Sequence, residues 1–233
     1  MSEVVSTAVA QNGQMTEPAT RDGAGARIAA ELRQAILDGH YAPGTRVRQE
    51  DLADQHGASR VPVREALRML ESEGLVTVVA NTGAWVSRLS LSECEEMYQI
   101  RERLEPLLLR YSIPNLAESE VAHLGTLADA MERSSDVEHF LRLDREFHLS
   151  SYAGAETNVL GEMVLQLWNR TQHYRRAFTH VFRSEGDRSA HHDHHLLVHA
   201  IHRDDLDEAE RVLHDHIRRT RLELTRHPAV FEN

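Results

Sequence analysis

The stretch Gly57-Ala58-Ser59-Arg60-Val61-Pro62-Val63-Arg64-Glu65-Ala66-Leu67-Arg68-Met69-Leu70-Glu71-Ser72-Glu73-Gly74 decides how this chain folds. Ser59 stands where a helix N-cap is needed. Pro62 falls in the first turn, where the early N–H groups have no partner inside the helix. Val63, Ala66, Leu67 and Leu70 recur at i, i+3, i+4 and i+7, so one face is built for burial. Arg60, Arg64 and Arg68 repeat every fourth residue on another face. A helix held by its apolar face and offering guanidinium groups from another suits a major groove, where Arg bonds guanine O6 and N7. A solvated surface helix carries the same pattern, so the flanks have to decide.

Upstream, Ile28, Leu32, Ala35 and Ile36 form a helical stripe that stops at Gly39. Pro43-Gly44 marks a turn, and Glu50 to His56 reads as a short helix closed by Gly57. Two short helices around a tight turn make a helix-turn-helix whose second helix is the reader. Downstream, Leu75-Val76-Thr77-Val78-Val79 is β-branched and apolar, Asn81-Thr82-Gly83 is turn chemistry, and Ala84-Trp85-Val86-Ser87 returns as a strand. The expectation is a winged helix-turn-helix with a small β-hairpin wing. Arg88 can reach a phosphate from that hairpin, and Gly83 at its tip lets the backbone come close to a minor groove.

Residues 25–90 resemble the DNA-binding domain of the GntR family of bacterial transcriptional regulators. The resemblance rests on Ala35-Ile36-Leu37-Asp38-Gly39, Pro43-Gly44, Leu52-Ala53, Ser59 to Leu67, Glu73-Gly74-Leu75 and Thr82-Gly83-Ala84-Trp85-Val86. It implies that Arg60 and Arg64 read bases, with Arg68 and Arg88 nearer the backbone, and that Ser59 and Gly83 belong to the DNA-binding surface. Some relatives carry a DNA-contacting Arg in the helix before the reader, where this chain has Glu50.

Length and charge divide the rest. With 233 residues the chain exceeds the usual size of one domain, and its apolar fraction of 41% suffices for a packed core in each of two. The expected layout is a disordered tail over 1–22, a winged helix over 23–90 and an all-helical domain over 91–225. The net charge of −11 is uneven. Residues 21–90 hold nine Arg against nine acids, whereas 91–233 hold 17 Arg against 26 acids, and Lys is absent. A neutral reading domain relies on placed Arg rather than bulk charge, so its grip on random DNA should be modest and salt-sensitive. Cys94 is the only cysteine, which excludes a disulfide framework and a thiolate metal cluster. No apolar run of membrane length and no leader pattern occur, so a cytoplasmic location and no membrane partner are expected.

From Ser92 onward helical stripes run over 92–112, 117–133, 136–152, 156–182, 187–202 and 206–225. They predict an all-α bundle of about six helices, stabilised by mutual packing. The chain has 16 His, and periodicity sorts them. His191, His195 and His199 share a polar stripe. His194 lies with Leu197, Val198 and Ile201, and His216 with Ala209, Val212 and Leu213, on apolar faces. Asp144 and His148 stand one turn apart among Phe140, Leu141 and Phe147. His194 precedes the turn at Arg203-Asp204-Asp205 and His216 follows it, so an antiparallel hairpin brings them to similar height. An Asp and three His suit zinc, nickel, manganese or iron, with an open position only at five- or six-coordination. Core histidines bonded to carboxylates without metal would give the same pattern, and the polar stripe of His191, His195 and His199 is a rival site.

Residues 92–222 resemble the FCD effector domain of the FadR subfamily. Its metal-bearing members carry Asp-x-x-x-His, here Asp144 to His148. They also have a His opening the penultimate helix, here in Asp193-His194, and a last His, here in Asp215-His216-Ile217. The resemblance implies a divalent transition metal on Asp144, His148, His194 and His216, zinc first, with nickel or manganese as alternatives. It also implies that Arg101 faces an acidic ligand and makes Asn169 a further effector-pocket candidate, although Arg101 could simply pair with Glu105 in its own helix.

The expected protein is a homodimeric, metabolite-responsive regulator, a repressor by default and not an enzyme. Two winged helices would read a palindromic operator, and a small carboxylate would bind at the metal. Two alternatives stay open: an acyl-coenzyme A-responsive regulator without metal, and a metal-dependent hydrolase. The hydrolase would need a general base that the sequence does not reveal, and it leaves the winged helix unexplained.

Overall fold

A computed structural model describes residues 21–79, 83–184 and 189–232, with backbone alone at 21–22, 181–184 and 189–191. The expected tail therefore lies outside the described residues up to residue 20, as do Asn81 and Thr82 of the wing and the break at Gly186. Helix α1 spans Arg21–Leu37, slightly longer than the stripe ending at Gly39 suggests, and the short β1 is Arg46–Val47. Then come α2 (Gln49–His56), α3 (Arg60–Ser72), β2 (Val76–Val79) and β3 (Gly83–Val86).

The hairpin is part of a three-stranded antiparallel sheet in the order β1-β3-β2. Arg46 pairs with Trp85, and Val76 with Val86. The sequence reading misses β1 because two residues are too few to show an alternation. Gly57 ends α2 with φ 58°, donating its N–H to Ala53 and Asp54. Any other residue there would carry the strain of a left-handed backbone. The stripe Val63, Ala66, Leu67 and Leu70 of α3 is buried against Ile28, Ala29 and Leu32 of α1 and against Leu52, Val76 and Ala84, forming one core.

The second core belongs to a helical bundle: α4 (Leu91–Ser112), α5 (Glu118–Arg133), α6 (Val137–Ser151), α7 (Leu160–Ser184), α8 (Ser189–His202) and α9 (Leu206–Arg226). A capping box opens α4: Ser90 Oγ accepts from the Glu93 N–H, and Glu93 accepts from the Ser90 N–H at 2.8 Å. Asp136 and Asp205 cap α6 and α9 by accepting from the His139 and Glu208 N–H groups. Helix α4 packs on α9 and α7, α5 on α6 and α8, and α8 on α9. The turn between α8 and α9 holds Asp204 at φ 53°.

Head and bundle meet along α7. Gln166 donates to the Ser72 carbonyl at 2.7 Å, Asn169 to the Glu73 carbonyl at 2.9 Å, and the Tyr174 hydroxyl bonds the Leu89 backbone. The end of the reading helix is thus tied directly to the helix that backs the buried histidines. Among the described residues no helix is long and apolar enough to cross a membrane.

Candidate functional site

Burial of one stripe of α3 leaves Arg60, Arg64 and Arg68 exposed on the other side, as the spacing requires. Ser59 takes the extended N-cap backbone, but its side chain makes no capping bond and stays exposed. Arg88 is exposed just beyond β3, and Gly83 opens that strand. Arg46, which the sequence reading passed over, lies beside Gly83 with its guanidinium 5.5 Å from the Trp85 ring centroid.

Arg60 is not idle. Its Nη2 donates to Glu50 Oε1 at 2.7 Å, with both side chains about three-quarters exposed (75% and 73%). If Arg60 is to meet DNA, Glu50 would compete for it and would also repel phosphate. Glu50→Gln is therefore expected to tighten DNA binding several-fold, more at low than at high salt, in a titration across salt concentrations. Unchanged affinity would mean that Arg60 does not approach DNA. Arg64→Ala is expected to lose about 1–3 kcal/mol of discrimination at one base pair per half-site. Arg88→Ala should weaken binding evenly across sequences. An Arg64→Ala protein with unaltered operator and random-DNA affinities would remove α3 from the reading role.

In the bundle, Asp144 and His148 of α6, His194 of α8 and His216 of α9 converge with one donor atom each, all within 4.8 Å of one another. Asp144 is 0%, His148 1%, His194 1% and His216 8% exposed. His194 Nε2 is 3.3 Å and His148 Nε2 3.9 Å from Asp144 Oδ1, and the His194 and His216 rings are 4.9 Å apart. His216 Nδ1 donates to Asp193 Oδ2 at 3.2 Å, which leaves Nε2 as its free lone pair. Neither nitrogen of His148 has a hydrogen-bond partner, and His194 has no well-aligned one, its Nε2 lying 3.3 Å from Asp144 Oδ1. Buried polar atoms left this way are costly. Core histidines bonded to carboxylates would not leave both rings without a partner; a cation held by this oxygen-and-nitrogen donor set would use one nitrogen of each. In the rival polar stripe, His195 Nε2 pairs with Glu132 at 3.1 Å and His199 is exposed, while the side chain of His191 lies outside the described residues.

Burial pushes the His194 imidazole down to about 4, against the pull of Asp144, and holds His148 well below its ordinary range for the same reason. Burial opposes ionisation of Asp144 too, but Arg175 outweighs it, with help from His194 and His148, so the carboxyl stays well below its usual range. The imidazoles of His148 and His194 are thus neutral and face a carboxylate. His194 takes up its proton near pH 6.5 in the unfolded chain and only near 4 in the folded one, so stability falls as pH drops through that interval. Metal-free protein should lose about 2 kcal/mol between pH 7 and 5 from His194 alone, read from urea midpoints. A flat profile would mean that His194 is solvated.

Beside the cluster is a cavity of only about 10 Å³, lined by Arg101, His148, Trp168, Arg175 and His216 among others. Arg101 therefore does both things that its position allows. It bonds Glu105 at 2.5 Å within α4 and Thr171 Oγ1 at 2.9 Å, and its guanidinium lies between the Tyr98 and Trp168 rings while bordering the cavity. Glu105 in turn accepts from the Tyr152 hydroxyl and Trp168 Nε1. Asn169 does not border that cavity: its amide bridges Arg145 and the Glu73 carbonyl at the junction with the head. Sequence reasoning missed Arg175, which touches Asp144 Oδ2, and Asp193, which orients His216. The signal for Arg175 was its place seven residues after Trp168 and four after Thr171, on one face of α7.

A winged helix followed by a helical bundle with a buried Asp and three His defines a class of two-part proteins. The chain belongs within it to the gntR family of bacterial regulatory proteins, whose family model matches residues 24–86, with an FCD domain over 96–219. It is 31% identical over 122 residues to the HTH-type transcriptional regulator YdhC of Bacillus subtilis, covering 51% of this chain and 54% of that protein. It is 30% identical over 154 residues to the gluconate operon transcriptional repressor of Bacillus licheniformis, covering 64% and 61% respectively. The chain thus spans little more than half the length of these curated relatives. The solved structure of E. coli McbR superposes with a TM-score of 0.73 at 25% identity, covering 87% of this chain and 97% of that one.

Proposed function

We propose that the protein is a DNA-binding transcriptional regulator whose operator affinity responds to a small carboxylate bound at a divalent metal in the bundle. The observation that carries this is the set of orphaned imidazole nitrogens on His148 and His194, packed with Asp144 and His216 beside Arg101 and Arg175. Asp144, His148, His194 and His216 would hold the metal, with zinc preferred and nickel or manganese acceptable to the same donors. The metal would supply an anion with a Lewis-acidic anchor. The guanidinium groups of Arg101 and Arg175 would pair with its carboxylate.

A cavity of about 10 Å³ has room for a single water, so an effector must widen it. Movement of Trp168 and Arg175 is movement of α7, the helix bonded to the end of α3. A ligand that favours one arrangement of α7 would bias the reading head by its differential affinity for the two states. We take the protein to act in the cytoplasm as a homodimer on a palindromic operator, and as a repressor released by its effector. The name of the Bacillus licheniformis relative favours repression, and gluconate is itself a small carboxylate. A regulator of acyl-coenzyme A would leave the imidazole nitrogens without a role, and a hydrolase would leave the exposed Arg face of α3 without one.

The test is a thermal-shift screen of metal-loaded and chelated protein against small mono-, di- and hydroxy-carboxylates and against acyl-coenzyme A. Carboxylate stabilisation that requires metal is expected. Stabilisation by acyl-coenzyme A in both forms, with no response to carboxylates, would overturn the reading.

A further inference from the structure

A second cavity, of about 300 Å³, opens where the head meets the bundle, away from the histidines. Its polar lining comes from three helices: Gln34 and Asp38 of α1, Arg142, Arg145 and Glu146 of α6, and Gln172 and Arg176 of α7. The carboxylates in and beside it each have a partner, Glu146 lying 3.3 Å from His123 Nε2. Asp38 accepts from Gln34 at 2.9 Å, and Glu138 is held by Arg176 Nε and Nη2 at 2.9 and 2.8 Å.

Three guanidinium groups face the space against the carboxylates of Asp38 and Glu146, and its hydrogen bonding is incomplete. Arg145 Nη1 and Arg176 Nη1 are buried without a hydrogen-bond partner, and so is Gln172 Oε1 on a side chain 5% exposed. Arg145 donates only to the neutral Asn169 amide, and among the described residues no carboxylate pairs with it. A buried guanidinium without a counter-ion is among the costlier things a fold can hold. A compact anion in the cavity would give Arg145 that counter-ion and would offer an acceptor to Arg176 Nη1, whose guanidinium is otherwise paired with Glu138.

We propose that this junction cavity is an anion site for a phosphate dianion, free or esterified, separate from the metal centre. Three guanidinium groups arriving from two helices suit a tetrahedral acceptor with several oxygens, and 300 Å³ leaves room for a small ester. Because Gln34 and Asp38 come from the head and the arginines from the bundle, an occupant would bridge the two parts. The inference does not depend on the metal-bound effector proposed above.

Calorimetric titration of metal-loaded protein, freed of excess metal, with inorganic phosphate in Tris chloride at constant ionic strength tests it. One saturable event per chain is expected, weakened at least tenfold by Arg145→Gln and by Arg142→Gln. Arg142 is exposed, so its variant keeps the test decisive if Arg145→Gln does not fold. Glycerol phosphate in a parallel arm distinguishes the sources: tighter binding than phosphate points to an ester, weaker to the free ion. Arg64→Ala and His216→Ala should leave the event unchanged. No saturable heat, or an event untouched by the cavity variants, would overturn the proposal. So would loss with His216→Ala or Arg64→Ala, which would put the phosphate on the metal or on the reading face. Binding of malonate in place of phosphate would overturn the assigned anion class.

Discussion

Arg101→Ala is expected to destabilise the protein by about 3–5 kcal/mol, the usual cost of removing one partner of a buried ion pair. Glu105 is 0% exposed and would be left with only the Tyr152 hydroxyl and Trp168 Nε1 as partners. The Tyr98 and Trp168 rings would also lose the cation between them. Replacing both partners, Arg101→Met with Glu105→Gln, should recover most of the loss, because no buried charge is then stranded. Urea midpoints of the wild type, the single variant and the double variant measure this. A single-variant loss below about 1 kcal/mol would mean that water reaches Glu105. The consequence for function is practical: Arg101→Ala alone mixes effector loss with instability, so the double variant is the cleaner probe of effector response.

The second large effect concerns metal. Purified protein should carry about one divalent ion per chain, and His194→Ala or His216→Ala should reduce this to near zero, because the site has no spare ligand. Asp193→Asn should weaken retention about 10- to 100-fold, since Asp193 fixes the His216 ring through Nδ1. His195→Ala and His199→Ala should leave metal content unchanged: one pairs with Glu132 at the surface and the other is exposed. Elemental analysis with the reverse pattern would move the site to the polar stripe. A metal-free wild type with a full effector response would remove the metal from the account.

Much of this was legible in the order of residues, for identifiable reasons. The α3 stripe of Val63, Ala66, Leu67 and Leu70 is short-range and strictly periodic, so its burial and the opposite Arg face follow without tertiary knowledge. The convergence of Asp144, His148, His194 and His216 was readable because each sits on an apolar helical face, where an ionisable group needs a partner. What escaped depends on contacts between distant segments. β1 exists through its pairing with β3, and Arg60 is held by Glu50 from the preceding helix. The resemblance made Asn169 an effector-pocket candidate, yet it stands one position after Trp168, and one position along a helix turns a side chain by about 100°. That rotation places its amide at the head rather than in the cavity. The reach of Arg175 to Asp144 between α7 and α6 is likewise a matter of packing.

The most direct test of the account is an operator titration by fluorescence anisotropy at fixed salt. It compares metal-loaded and chelated protein, each with and without the carboxylate that gives the largest thermal shift. The account predicts that this acid changes the operator affinity of the loaded protein by about 5- to 150-fold, the usual size of coupling between sites. It predicts no change for the chelated protein. An equal shift in both forms, or none in the loaded form, would contradict it.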